Sequence, residues 1–376
     1  MSAPQEFSAD FINVGGGTTG CLVASQLARE FRDKTVLLIE VGKDTRGLPV
    51  RSPEHHYMIS FLFPELDHGY ITVPQTALKN RELPYLWGRG LGGTSVINFM
   101  AYHYGSSTEY DRWANLVGDE AWRWEILETY HGIQEGHGRA GYVTLRRDSR
   151  HYNMARPIHT SLPTAAAWET NLVVDSMREL EVQSPLSAWV MPLKLSSMHS
   201  TSISTRRYCL SHNLPPSLDI LYNTWVTKLE LDGKRAAGVT LSDGRFVRAS
   251  QEVILCAGAI DSPRLLLLSG IGDTDELSAV GVQVRHNLSG VGKNLHDHEG
   301  VGIMHQMTTA YLEKQRSMDS ELNASLRCDS MAVTYTKLNG LFASKEFRAL
   351  DSQAQDHMRL ESVLNLQDPA LISHRT

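Results

Sequence analysis

The chain has 376 residues, 41% hydrophobic and 21% charged, with a net charge of -6 and a pI near 6.2. This composition builds a sizeable core, in one large domain or two closely joined ones. The acidic balance, with no Lys/Arg run, excludes the concentrated basic face that a nucleic-acid partner requires.

The N-terminus, MSAPQEFSADF, has neither a basic region nor an apolar stretch of signal-peptide type, and no apolar run reaches bilayer length. No membrane association is expected. Cys21, Cys209, Cys256 and Cys328 show no CxxC spacing, which indicates neither a zinc site nor a disulfide framework and fits a reducing, cytoplasmic setting. The sequons at Asn287 and Asn323 are then irrelevant.

Along the chain, residues 10 to 14 read as a short buried strand. Residues 18 to 31 read as a helix with apolar positions Leu22, Val23, Leu27 and Phe31, and Thr35 to Glu40 as a second strand. Asn13 is a polar residue in a strand that should be apolar, and it costs stability unless its amide finds partners. Gly15, Gly17 and Gly20 fall at G-x-G-x-x-G spacing between the first strand and the helix. The first makes a tight turn, the second admits a pyrophosphate, and the third lets helix and strand pack closely. Thr18 and Thr19 open the helix, where free amides favour an anion. Glu40 lies 20 residues after Gly20, where a carboxylate accepts hydrogen bonds from a ribose diol, and an acid there disfavours a 2'-phosphate. The unit predicts dinucleotide binding.

A second glycine cluster follows, Trp87-Gly-Arg-Gly-Leu-Gly-Gly-Thr-Ser-Val-Ile-Asn-Phe-Met-Ala-Tyr102, and then Glu109-Tyr-Asp-Arg-Trp113. Read alone it is a glycine-rich loop leading to an amphipathic helix. The segment resembles the first signature of the glucose-methanol-choline (GMC) oxidoreductases. Val253-Ile-Leu-Cys-Ala-Gly-Ala-Ile-Asp-Ser-Pro-Arg-Leu-Leu-Leu-Leu-Ser-Gly-Ile-Gly272 resembles that family's second signature, and Gly290-Val-Gly-Lys-Asn-Leu-His-Asp-His298 its G-V-G-x-N-L-x-D-H. The three stand in the family's order over residues 8 to about 300.

The resemblance implies FAD in an extended pose, with its ADP half on the first unit and its isoalloxazine over the loop carrying Asn98. Carried over, Trp87, Gly92, Gly93, Thr94, Asn98, Phe99, Met100 and Ala101 become neighbours of the flavin and pyrophosphate. Val226, in Asn223-Thr-Trp-Val-Thr-Lys-Leu229, matches the family's strand whose Val backbone faces adenine. Asn98 supplies a neutral donor to the N1 side of a reduced flavin, with a helix N-cap as its alternative role.

Other features read as structural. His296-Asp297-His298 lacks the spacing of a metal site, so no metal is expected. Cys256 reads as a small hydrophobe in a buried strand, and Leu265 to Leu268 as a core helix starting at Ser262-Pro263. The family resemblance also implies an active-site His in a His-x-x-Gly-Thr type motif near the C-terminus. His305, His357 and His374 are not followed by that pattern, so no catalytic residue is assigned and the C-terminus is read as truncated. Tyr104 stands where the family often has Arg, and residues 150 to 222 read as shorter than a typical substrate domain.

The expected fold class is α/β, a Rossmann-like FAD-binding domain with an inserted, smaller and incomplete α+β substrate-binding part. The FAD-binding domain is placed at residues 7–150 and 205–300, and the partial substrate-binding domain at 151–204 and 301–376. The expected function is FAD-dependent oxidation of the CH-OH group of a small alcohol, by analogy with the family, in a secondary-metabolite pathway. The alternative is a flavin-binding remnant without turnover.

Overall fold

The computed structural model describes residues 7–46, 48, 63–98, 107–127 and 214–297. Contacts divide the chain into two units, one of residues 1–161, 199–294 and 338–376 and the other of 162–198 and 295–337. Everything below concerns the first.

Its framework starts with β1 (Phe7–Val14), α1 (Thr18–Glu30) and β2 (Val36–Ile39). A short antiparallel pair follows, β3 (Tyr70–Ile71) with β4 (Pro84–Tyr85), and then α2 (Ser107–Val117). The later elements are β5 (Leu218–Leu221), β6 (Val226–Asp232), β7 (Arg235–Leu241) and β8 (Phe246–Leu255). They are followed by α3 (Gly258–Leu268), β9 (Ile271–Gly272), α4 (Thr274–Ala279) and β10 (His286–Asn287). Among the described residues, six strands form one sheet in the order β5-β2-β1-β8-β7-β6. β1 runs parallel to β2 and β8, β2 runs parallel to β5, and β6, β7 and β8 form an antiparallel meander. The right-handed crossover expected of a β1-α1-β2 unit explains why these strands read as continuous apolar runs: both faces are covered.

All four residues of β2 are buried, and the period of two divides them between two cores. Leu37 and Ile39 join Ile12, Val14, Leu229, Val239, Val247 and Leu265 on one face. Val36 and Leu38 join Cys21, Ala24, Ala28 and Leu218 under α1 on the other. Each fully buried aliphatic side chain contributes about 1.5 to 3 kcal/mol by leaving water.

The structure locates the core face of α1 and corrects one sequence expectation. The buried face of α1 is Gly20, Cys21, Ala24, Ser25 and Ala28, whereas Leu22, Val23 and Leu27 are only partly covered and Phe31, just past the helix end, is exposed. Close approach to the sheet demands small side chains, so bulk is pushed to the flanks, where Leu22 and Leu27 pack around the small-residue contact. The correction concerns α3, expected to start at Ser262-Pro263, which begins at Gly258 and carries Pro263 inside it. Gly258 has a φ of 86°, which turns the chain sharply from β8 into the helix ahead of the proline. Pro263 then forgoes one intrahelical hydrogen bond. Leu265 and Leu267 are buried, as a core helix requires.

Gly20 gives a sign-specific test of the α1 contact. A Cβ there would fall 1.9 Å from the Gly15 carbonyl oxygen and 2.9 Å from Asn13 Nδ2. A helical Gly→Ala change ordinarily stabilises by about 1 kcal/mol. Gly20→Ala is expected to destabilise instead, by about 2 kcal/mol or more, read as a lowered urea midpoint.

Candidate cofactor site

The turn between β1 and α1 is shaped by Gly15, at φ 101°, where a Cβ would sit 2.5 Å from the Cys256 carbonyl oxygen. Asn13, fully buried on the α1 side of β1, donates from Nδ2 to the Gly15 carbonyl at 3.0 Å. Its amide is thus part of the turn. Gly17 differs from its two partners: its φ is -72°, and a Cβ there would meet only the Cα of Gly93, at 3.9 Å. It borders open space. The N-terminus of α1 has no side-chain cap and no acidic residue in its first turn, so its free amides point into that space.

The second glycine loop closes against the first by backbone contact. Gly92 N–H donates to the Gly16 carbonyl at 2.7 Å, Leu91 N–H to the Lys43 carbonyl at 3.0 Å, and the Thr18 and Ser95 hydroxyls pair across the junction. A Cβ on Gly93 would stand 2.7 Å from Gly17 Cα, and one on Gly42 would stand 2.4 Å from Gly90 N.

Glu40, just past the end of β2 and 4% exposed, joins these loops. Its Oε2 accepts from Gly16 N–H at 2.7 Å, and its Oε1 accepts from Gly42 N–H at 2.8 Å and Gly90 N–H at 3.0 Å. Burial pushes its carboxyl above the usual range, against the downward pull of the three amides and of Arg89. A carboxylate offers about four acceptor positions, and three are occupied by the protein's own backbone. One position on Oε2 remains, and Glu40 lines the adjoining cleft.

That cleft is bordered by Gly15, Gly17, Thr18, Thr19, Glu40, Trp87, Gly93, Thr94 and Val226, so the structure gathers most of the expected site into one place. Gly20 and Gly92 sit behind it as packing positions. Asn98 follows the 3-10 turn Gly93–Val96, is half-buried, and is not among the lining residues. Phe99, Met100 and Ala101 lie outside the described residues, as do Tyr104 and His298. Cys256 is corrected: it falls just beyond β8, is only partly buried, and lines the cleft. Burial pushes its thiol up, so it presents a neutral S–H.

The sequence reading missed the opposite wall. Ala257, Gly258, Asp261, Arg264, Leu265 and Leu268 recur at the three-to-four-residue spacing of one helix face. That spacing stands in the second signature and signals the face. Trp225 and His68 also line the cleft. His68 stacks on Tyr70 with ring centroids 5.0 Å apart, and the Tyr70 hydroxyl donates to Asp261 Oδ2 at 2.6 Å. Burial and the adjoining Asp261 carboxylate raise the Tyr70 phenol far above its usual range, keeping it a donor. Together the residues present fit the ADP half of a dinucleotide. An uncapped helix end and a Cβ-free gap suit pyrophosphate, the spare carboxylate position suits a ribose hydroxyl, and Val14, Ile39, Val226 and Leu265 suit a ring.

Glu40→Gln sets an NH2 group against backbone donors. The flavin-free protein is expected to lose about 1 to 3 kcal/mol of stability, measured by urea unfolding. An unchanged midpoint would leave Glu40 with a ribose role alone. A second expectation concerns acid. Burial depresses the His68 imidazole below its ordinary 6.5. Between the two values the unfolded chain binds a proton that the folded one does not, so stability present above 6.5 is lost as pH falls through the folded value. Thermal midpoints scanned over about pH 5 to 8 should fall on the acid side, and fall less in His68→Gln.

Residues 9–300 match the family model described as GMC oxidoreductase. Glucose dehydrogenase [FAD, quinone] of Drosophila melanogaster is 33% identical over 315 residues, covering 78% of this chain and 48% of the relative. Versicolorin B synthase of Aspergillus parasiticus is 31% identical over 324 residues, covering 77% and 50%. A solved FAD-dependent oxidoreductase from Chaetomium thermophilum superposes with a TM-score of 0.63 at 25% identity, covering 83% of this chain and 58% of that one. The chain spans about half the length of the curated relatives it matches. It belongs to the GMC oxidoreductase family of FAD-dependent enzymes.

Proposed function

We propose that this chain holds FAD along the cleft and serves an oxidoreductase that takes hydride from the CH-OH carbon of a small alcohol. The observation that carries the reading is the pair of interlocked glycine loops, clamped by Glu40, that leaves the α1 N-terminus open onto the cleft. The Thr18 and Thr19 amides receive the pyrophosphate, the free position on Glu40 Oε2 takes a ribose hydroxyl, and the backbone at Val226 faces adenine. Trp87, Gly93 and Thr94 border the flavin half, and Asn98 is assigned to the flavin with them. When bound, the flavin supplies the hydride acceptor. The residues of the chain bind it, orient it and exclude water from its nucleotide half; none is assigned as the base. The FAD-binding domain is taken as residues 7–150 and 205–300, and the substrate-binding part as 151–204 and 301–376. The proposed setting is a secondary-metabolite pathway.

The purified chain is expected to show flavin absorbance near about 450 nm that is bleached on anaerobic mixing with one or more of a panel of primary, secondary and benzylic alcohols. Flavin that binds but is never bleached would leave a flavin-holding protein without turnover. Gly17→Val tests the cradle itself. Its Cβ meets nothing closer than 3.9 Å, so the variant should unfold near the parent temperature yet retain no flavin, because its side chain fills the pyrophosphate's place. Full flavin content in that variant would remove the pyrophosphate from this turn.

A further inference from the structure

On the wall of the cleft formed by α3, Asp261 and Arg264 are the two charged residues, and they are fixed to one another. An Arg264 NH2 nitrogen lies 2.9 Å from Asp261 Oδ1, close enough for an ion pair although not aligned as a hydrogen bond. The other carboxylate oxygen is held by the Tyr70 hydroxyl at 2.6 Å. Asp261 is therefore anchored from β3, and Arg264 reaches the cleft with its charge already answered. A phosphate at this position would have to compete with that carboxylate, whereas the amides at the α1 N-terminus face the same cleft uncapped. A guanidinium has a second use: its flat, weakly hydrated face stacks on aromatic rings. The cleft residues beside it on α3 are Leu265 and Leu268, and Trp225 of the β5-β6 connection and Val226 at the start of β6 complete an apolar lining.

We infer that Arg264 is the stacking surface for the adenine ring of the bound dinucleotide, with Asp261 as the positioning residue that turns its face to the cleft. The inference rests on the reading of this cleft as the FAD site. Its test is titration of the full chain, freed of flavin, with FAD and with ADP, for the parent, Arg264→Ala, Arg264→Lys and Asp261→Asn. Stacking predicts that both Arg264 variants loosen FAD and ADP alike, by about tenfold, because lysine keeps the charge and lacks the plane. Asp261→Asn should loosen both less and make the remaining affinity more sensitive to salt, since Arg264 is then an unanswered charge. Restoration by lysine would assign Arg264 to phosphate and overturn the inference. A loss confined to FAD would place Arg264 against the flavin half and overturn it as well, as would unchanged affinities. A parent chain that binds neither ligand would instead sink the cofactor reading itself. Should Arg264→Ala fail to fold, the lysine variant, which keeps stem and charge, decides.

Discussion

Everything at the site depends on one buried carboxylate and the three backbone amides it receives. The turns at Gly16, Gly42 and Gly90 come from separate parts of the chain, and each leaves an N–H pointing inward with no carbonyl to meet it. Only an acceptor with two oxygens serves all three. Each such hydrogen bond to a charged group contributes about 1.5 to 3 kcal/mol, while burying the carboxylate costs several. The sum is small, so the value of Glu40 lies in geometry: it fixes the second glycine loop against the first and thereby keeps the end of α1 uncovered.

The cleft that results is chemically two-sided. The α1 side offers backbone donors and no side-chain charge in its first turn, which suits an anion whose position is set by glycine-lined backbone. The α3 side offers methyl groups and a neutralised ion pair, which suits a flat ring and repels neither charge strongly. A dinucleotide needs both surfaces within reach of one another. The parallel pairing of β1 with β8 delivers them, because it ends both strands on the same side of the sheet and starts a helix from each.

The parts legible in the sequence were those set by local spacing. Strand period, the G-x-G-x-x-G triplet and the distance from Gly20 to Glu40 placed β1, α1 and β2 nearly as found, and the first two signatures contain residues that line the cleft. What was not legible depended on distance across the fold. The core face of α1 is not marked by its large apolar positions, because closeness of approach decides there, and small residues at 20, 21, 24, 25 and 28 carry the contact. Pro263 was taken as a helix start because a rigid φ suits that place, although Gly258 had already made the turn. The sequence assigned Glu40 to a ligand without revealing that three of its acceptor positions go to Gly16, Gly42 and Gly90, a convergence that no linear pattern encodes. The turns at Gly233 and Gly244, both with positive φ, carry Asp-Gly steps that would have revealed the meander.

Asn13 changes meaning in this light. Its amide grips a carbonyl only two residues away, so the bend at Gly15 is stabilised by the strand that leads into it and needs no ligand to take shape. Ordering of the turn then occurs during folding, and no part of the cofactor's binding energy is consumed in freezing it. A turn braced in this way keeps its shape whether or not a ligand is present.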